Sequence, residues 1–434
     1  MFHDLHDRLD ELAVFHDLNQ DKVFHAFHQL LRITGERGID WWVRKTEFYR
    51  FVTLLYQAHT DNWTKYLKNL VLSTETPCTW FTVNRQEIPE NIRNSARREL
   101  RYLSKMAGIS SQMMKQHYFI MGYGEFTGHE GLGADWQAEE IDLEKLYFER
   151  LANIPKYGFG IWTKYHCFQM KISEQTEKGY VLKPVSYPDT ISLKELVGYD
   201  RQRKQVVDNT KALLHGMRAS NILLYGSAGT GKSATVKAVA NAYADEGLRL
   251  IELSKNELHL LPELLEELNA NPLKFILFID DLSFQENDDN FSALKAVLEG
   301  SISARANNTI IYATSNRRHI VRETFSQRAG DEIHRNDTMQ ETISLSERFG
   351  IQILFDKPDK NQYLDIVRSL AADAGLKTDT ETVILKAEQF AMRKSGRSAR
   401  TARQFVNQLR CEEYQNMLDN LDELNKSIFF NDSE

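Results

Sequence analysis

The string Gly226-Ser227-Ala228-Gly229-Thr230-Gly231-Lys232-Ser233-Ala234 follows an apolar run at 221–225 and opens a helix-like stretch at 234–244. Closely spaced glycines let consecutive backbone N–H groups turn inward around phosphate oxygens. The lysine that follows reaches the β- and γ-phosphates, and the next hydroxyl suits Mg²⁺. Residues 226–234 are therefore the candidate cradle for ATP, with Lys232 as its cation and Ser233 as one magnesium ligand. A chance glycine-rich turn is the alternative, and the strand before it and the helix after it argue against that.

Hydrolysis needs further groups. Phe275-Ile276-Leu277-Phe278-Ile279-Asp280-Asp281 is an apolar strand ending in two carboxylates. Asp280 suits Mg²⁺, a small hard cation that keeps much of its water, and Asp281 is placed to orient or deprotonate an attacking water. An ordinary strand-end turn would also carry such a pair. Asn316, closing the strand-like run at 310–316, could hold the same water. Arg348, in Ser346-Glu347-Arg348-Phe349-Gly350, offers a permanently charged planar fork for the charge that develops during phosphoryl transfer; a local ion pair is its plainer use. Arg397, Arg400 and Arg403 recur where a late helix begins. Arg400 is the first choice for a contact to nucleotide from above, against the reading of a solvated helical face.

Taken in order from about residue 193 to 409, these segments resemble the AAA+ ATPase superfamily: P-loop, Walker B, sensor 1 (Asn316), arginine finger (Arg348) and sensor 2 (Arg400). Leu196-Val197-Gly198-Tyr199 is similar to the segment that packs on adenine in such proteins, although it also reads as a plain helix start. Longer strings, among them Asp280-Asp281-Leu282-Ser283-Phe284, Leu294-Lys295-Ala296-Val297-Leu298-Glu299-Gly300 and Ala313-Thr314-Ser315-Asn316-Arg317-Arg318-His319, resemble one bacterial AAA+ family, catalogued as domain of unknown function 815. The resemblance names no substrate. It implies that Arg348 serves the ATP of a neighbouring subunit, so that the active form is a homo-oligomer whose heterologous contacts close a ring or continue as a spiral. Most AAA+ motors carry Glu after the Walker B Asp. Asp281 is one methylene shorter, so slow turnover is expected unless the strand end shifts or another acid, Glu286 or Glu299, assists. Slow turnover favours a nucleotide-timed regulatory switch over a fast motor.

A phosphate cradle needs a strand feeding a helix, and the sequence supplies that alternation. Strand-like runs at 222–225, 249–253, 275–279, 310–313 and 351–355 are separated by helical stretches, as the buried parallel strands of an α/β sheet are. After Pro358, helical patterns at 363–374, 381–394 and 399–418 predict a lid. Upstream, helical spacing recurs at 22–32, 45–56 and 92–106, while 157–170 reads as extended and 127–135 as a loop. The expected fold is α/β: an AAA+ P-loop core with a parallel sheet between helices (184–357), a mainly helical N-terminal partner- or substrate-recognition domain (1–183), and a helical lid with a tail (358–434).

Composition bounds the rest. The chain has 434 residues, 42% hydrophobic and 26% charged, with a net charge of -7, which describes a soluble globular protein without an overall basic field for nucleic acid or membrane. Its three cysteines lack metal-ligand spacing, acidic residues occupy the start where a signal peptide would be apolar, and no run of about 20 apolar residues occurs. A cytoplasmic protein without a membrane partner is expected.

Residues 253–259 contain no aromatic side chain of the kind with which peptide-threading AAA+ rings grip an extended chain, so processive unfolding ranks low. The compact basic clusters are Arg317 with Arg318, Arg393 with Lys394, and Arg93, Arg97, Arg98 and Arg101. Each lies in or beside a helix-like stretch and reads as solvated surface. A nucleic-acid-directed loader is therefore the alternative to remodelling of an unidentified protein client. ATP as structural glue would require the hydrolytic residues to be missing. His3 with His6, and His25 with His28, are each three apart and lack a third ligand nearby in sequence, so they read as surface or core histidines. Trp41, Trp42, Trp63, Trp80, Trp136 and Trp162 read as core or subunit-contact residues rather than stacking platforms.

Overall fold

The computed structural model describes residues 2–120, 133–282, 289–299, 307–316, 347–394 and 396–431. They divide into two compact units, Met1–Tyr165 with Ala270–Leu273, and His166–Asn269 with Lys274–Glu434.

The first unit is built of helices α1 (Phe2–Asp10), α2 (Lys22–Gly35), α3 (Trp41–Gln57), α4 (Trp63–Ser73), α5 (Pro77–Val83), α6 (Glu90–Ala107), α7 (Ser111–Ile120), α8 (Leu143–Ala152) and the single turn α9 (Ile154–Tyr157). The helical spacing seen at 22–32, 45–56 and 92–106 falls inside α2, α3 and α6. One aromatic core joins Phe27, Phe51, Trp63 and Trp136, whose rings stack or meet edge to face at 4.4–6.0 Å. The indole N–H groups of Trp63 and Trp136 donate to the carbonyls of Met106 and Ile109, so neither polar handle is left unpaired. Trp42 and Trp80 are exposed instead. Glu99, buried in this core, accepts from the backbone N–H groups of Ala13, Val14 and Phe15 and so fixes the turn between α1 and α2. The stretch at 157–163 is a turn of helix and a 3₁₀ segment rather than extended chain, and the extension begins only at Cys167. Most of the loop expected at 127–135 lies outside the described residues.

The second unit contains a seven-stranded sheet, ordered β2-β1-β4-β5-β6-β3-β7. Its strands are β1 (Cys167–Ile172), β2 (Tyr180–Pro184), β3 (Ile222–Gly226), β4 (Leu248–Leu253), β5 (Lys274–Ile279), β6 (Thr309–Ser315) and β7 (Ile351–Phe355). The last five are parallel, β1 runs parallel to β4, and β2 closes the row as an antiparallel edge. β5 is central and its apolar run 275–279 is wholly buried, which explains why it reads as continuous rather than alternating. All five strands expected from the pattern are present. β1 falls partly within the stretch read as extended and β2 is an addition, both drawn from the stretch that the sequence places in the first domain; the Cys167 and Tyr180 side chains they bury join this unit.

Helices α10 (Asp200–Leu214), α11 (Lys232–Ala242), α12 (Leu261–Asn269) and α13 (Asp289–Glu299) belong to the sheet layer, followed by a lid of α14 (Lys360–Asp373), α15 (Thr380–Arg393) and α16 (Ala399–Asn431). The lid has its own small core around Tyr363, Val367, Ala387 and Phe405. Asp359 caps α14 and Asp379 caps α15, each accepting a backbone N–H three residues on.

Candidate nucleotide site

β3 ends at Gly226 and α11 begins at Lys232, so the loop between them sits at the carboxyl edge of the sheet with a helix N-terminus facing outward. Two backbone features hold it there. Gly226 has φ +126°, and a Cβ on it would lie 2.3 Å from the Phe355 carbonyl of β7, so glycine is required by conformation and by contact alike. Gly229, with φ +76°, comes so close to the start of α16 that its carbonyl accepts the Arg400 N–H at 3.0 Å. The loop is thus clasped between a strand and the lid.

Ala228, Gly229, Thr230, Gly231, Lys232, Ser233 and Ala234 line a cleft of about 560 Å³, a size that takes a small organic ligand. Gly226 and Ser227 lie behind it and turn their carbonyls to Lys232, whose Nζ donates to them at 3.0 and 2.8 Å and to Asn316 Oδ1 at 3.0 Å. Lys232 is buried, and loss of solvation pushes its ammonium down to about 8 from the usual 10.5. The carboxylates of Asp280 and Asp281 pull the other way, while Arg400 adds to the lowering.

Ser233, Asp280, Asp281 and Asn316 form one hydrogen-bonded cluster. Ser233 Oγ donates to Asp280 Oδ1 at 2.6 Å, and Asn316 Nδ2 donates to Asp281 Oδ1 at 2.7 Å. Thr314 joins the two carboxylates: its hydroxyl donates to Asp280 Oδ1 at 2.6 Å and accepts the Asp281 N–H at 2.9 Å. The pairing of Leu224 with Thr314 across β3 and β6 sets this hydroxyl beside the loop. Thr314 lies in the strand end that the sequence marks by its small polar residues, but only Asn316 was assigned a role there. Asp281 has φ +52°, so the chain turns sharply at the residue whose shorter side chain raised the question of reach. The pair Ser233 Oγ and Asp280 Oδ1 presents hard oxygen donors, the chemistry Mg²⁺ takes.

The remaining walls come from both sides. Ile191, Leu196 and Val197 line the cleft together with Ile366 and Leu370 of α14, giving it an apolar part, and Val197 packs on the lid core. Arg400 and Arg403 line the cleft from α16, and Arg403 also donates to the Glu195 carbonyl at 3.2 Å. Arg397 is taken by Glu388, which it grips through two hydrogen bonds of 3.0 and 2.8 Å.

Arg348 is not in this cleft. Its guanidinium meets Glu299 at 2.6 Å and lines another hollow, with Asn221, Lys274 and Thr309 at the amino ends of β3, β5 and β6. It therefore stands at the edge of the sheet opposite the P-loop. Glu299, a candidate to assist the attacking water, is bound there as well and does not line the cleft. Glu286, Arg317 and Arg318 lie outside the described residues. Of the N-terminal basic cluster, Arg97 and Arg101 both reach Glu144, at 3.7 and 2.7 Å, which leaves a weaker positive patch than the sequence offers.

The chain is 48% identical over 61 residues to "ORC1-type DNA replication protein 5" of Halobacterium salinarum, 14% of each chain. It is 48% identical over 59 residues to "ORC1-type DNA replication protein 14" of Haloarcula marismortui, 13% of this chain and 14% of that one. The chain thus spans about one seventh of the curated relatives it matches. The RuvB Holliday junction branch migration motor of Thermotoga maritima matches in structure with a TM-score of 0.35 and 15% identity, over 50% of this chain and 63% of that one. Residues 163–413, more than half of the 434 and including every residue of the cleft described above, match the family described as "Protein of unknown function (DUF815)", and the chain belongs to that family.

Proposed function

We propose that the protein is a Mg²⁺-dependent ATPase of AAA+ type that uses nucleotide state to time or drive the remodelling of a protein client. The observation that carries this reading is the convergence of Lys232, Ser233, Asp280, Asp281 and Asn316 in one cleft, with Arg400 and Arg403 on its lid side. Bound Mg²⁺ would neutralise phosphate oxygens between Ser233 and Asp280. Lys232 would exchange its carbonyl partners for phosphate oxygens. Asp281, fixed by Asn316 at one oxygen, keeps the other for the proton of an attacking water. The apolar part of the cleft, lined by Ile191, Leu196, Val197, Ile366 and Leu370, would take a flat base. Arg400 would respond to the charge of the terminal phosphate, so that its loss loosens the lid.

Arg348 stands on the face opposite its own P-loop, which favours service to a neighbouring subunit in a homo-oligomeric ring or spiral. Among the described residues, no helix is long and apolar enough to cross a membrane. Lys232→Ala is expected to abolish ATP binding by calorimetry. Arg348→Ala is expected to leave binding intact and to cut turnover by roughly 10³-fold or more if it acts on a transferred phosphoryl group. Equal turnover in wild type and the Arg348 variant would remove the finger role, and retained binding in Lys232→Ala would remove the whole reading.

The similarity to ORC1-type DNA replication proteins favours a second reading, a loader directed to DNA. Stimulation of turnover by single-stranded or duplex DNA, but not by unfolded protein, at fixed salt and lost in an Arg93, Arg97 and Arg101 variant, would select it.

A further inference from the structure

We propose that His6, Asp10 and His28 form a binding site for one divalent transition ion of the zinc type, which fastens α1 to α2. Sequence spacing pairs His3 with His6 and His25 with His28; the fold pairs differently. His6 and Asp10 lie one turn apart on α1, and the packing of α1 on α2 brings His28 against both. Among the described residues this is the one group of three His, Cys, Asp or Glu side chains whose donor atoms all lie within 4.8 Å of one another.

The distances suit a tetrahedral ion. Metal–nitrogen and metal–oxygen bonds of about 2.0–2.2 Å at tetrahedral angles set neighbouring donors ~3.4 Å apart. His6 Nε2 lies 3.4 Å from Asp10 Oδ2 and His28 Nε2 lies 3.5 Å from Asp10 Oδ1, so each nitrogen stands at that spacing from a different oxygen of the carboxylate, and one donor atom from each residue lies within 4.8 Å of the other two. The two imidazole rings are 4.5 Å apart and tilted by 47°, so both present a nitrogen to the carboxylate without stacking flat. His28 Nε2 is also 3.3 Å from the His6 carbonyl; ligation requires that nitrogen to give up this contact and the ring proton to sit on Nδ1.

Burial distinguishes the group from an ordinary surface ion pair. His6 and His28 are 9% and 3% exposed, while Asp10 reaches solvent and leaves a fourth position open to water. His6 Nδ1 is buried and meets no partner among the described residues. Ligation through Nε2 places the ring proton on this Nδ1, so His6 would be held by the ion and by packing rather than by a second hydrogen bond. Two imidazoles and one carboxylate favour Zn²⁺, Co²⁺ or Ni²⁺ over the all-oxygen preference of Mg²⁺ and Ca²⁺.

The test uses the full chain, stripped with chelator and titrated with ZnCl₂ by calorimetry and with CoCl₂ by visible absorption. The expected result is one tight equivalent per chain, tetrahedral d–d bands with cobalt, and a thermal midpoint that rises with zinc. Asp10→Asn, at a solvent-exposed position that leaves packing intact, is expected to weaken zinc binding by roughly tenfold or more and to abolish the thermal shift. His28→Asn should do the same, and His25→Asn, on the exposed face of α2, should change neither. Absence of a stoichiometric site for both ions, or equal affinity in wild type and Asp10→Asn, overturns the proposal.

Discussion

In the proposed reaction, Lys232 is the residue with the most perturbed charge. Folding lowers its pKa from 10.5 to about 8, so between those values the unfolded chain binds more protons than the folded one, and this group's contribution to stability rises with pH across that window. A bound triphosphate would reverse the balance by holding the ammonium charged. Binding of Mg-ATP at pH 8.5 to 9 is therefore expected to take up a proton, and affinity to fall by up to about tenfold per pH unit above pH 8. Calorimetry in two buffers of different ionisation enthalpy measures that uptake, and a buffer-independent heat would contradict it. Thr314 makes a second residue-scale prediction. Thr314→Val keeps the shape but removes the hydroxyl between Asp280 and the Asp281 N–H, so a loss of about 1–3 kcal/mol in urea unfolding and slower ATP turnover are expected.

At the scale of elements, the site depends on a loop held between β7 and α16. Gly226→Ala would place a methyl group 2.3 Å from the Phe355 carbonyl at a backbone angle side chains avoid, and a loss of more than about 2 kcal/mol is expected from denaturant titration. The five parallel strands were legible because each is a short apolar run between helical stretches, and the phosphate loop because its glycines and lysine have few other uses together. β2 was harder to see: it carries Lys183 and Pro184 on an exposed edge, and edge strands need little apolar pattern. The choice among Arg397, Arg400 and Arg403 was also out of reach. Helical spacing puts all three near one end of α16, and only the presence of Glu388 on α15 withdraws Arg397. In the same way the histidine pairs looked local in sequence, whereas the contact that matters joins two helices.

For the molecule as a whole, the two units carry separate cores, one aromatic and helical, the other a sheet with its lid. Hydrogen exchange on the full chain tests what that implies: Mg-ATP is expected to protect amides at 226–234, 280–282, 314–316 and 396–403, and to leave those of α2, α4 and α6 unchanged. Protection confined to the helical unit would contradict a nucleotide cleft on the sheet. The bond from the Arg400 amide to the Gly229 carbonyl has a mechanical consequence. α16 runs for 33 residues, a rod about 50 Å long, and its first turn is bolted to the peptide that would surround the phosphates. Were nucleotide to bind there as proposed, such a rod would be a lever with its fulcrum at the loop: a push on the far tip would arrive as torque on the loop, and a rearrangement around the phosphates would sweep the tip through a much larger arc.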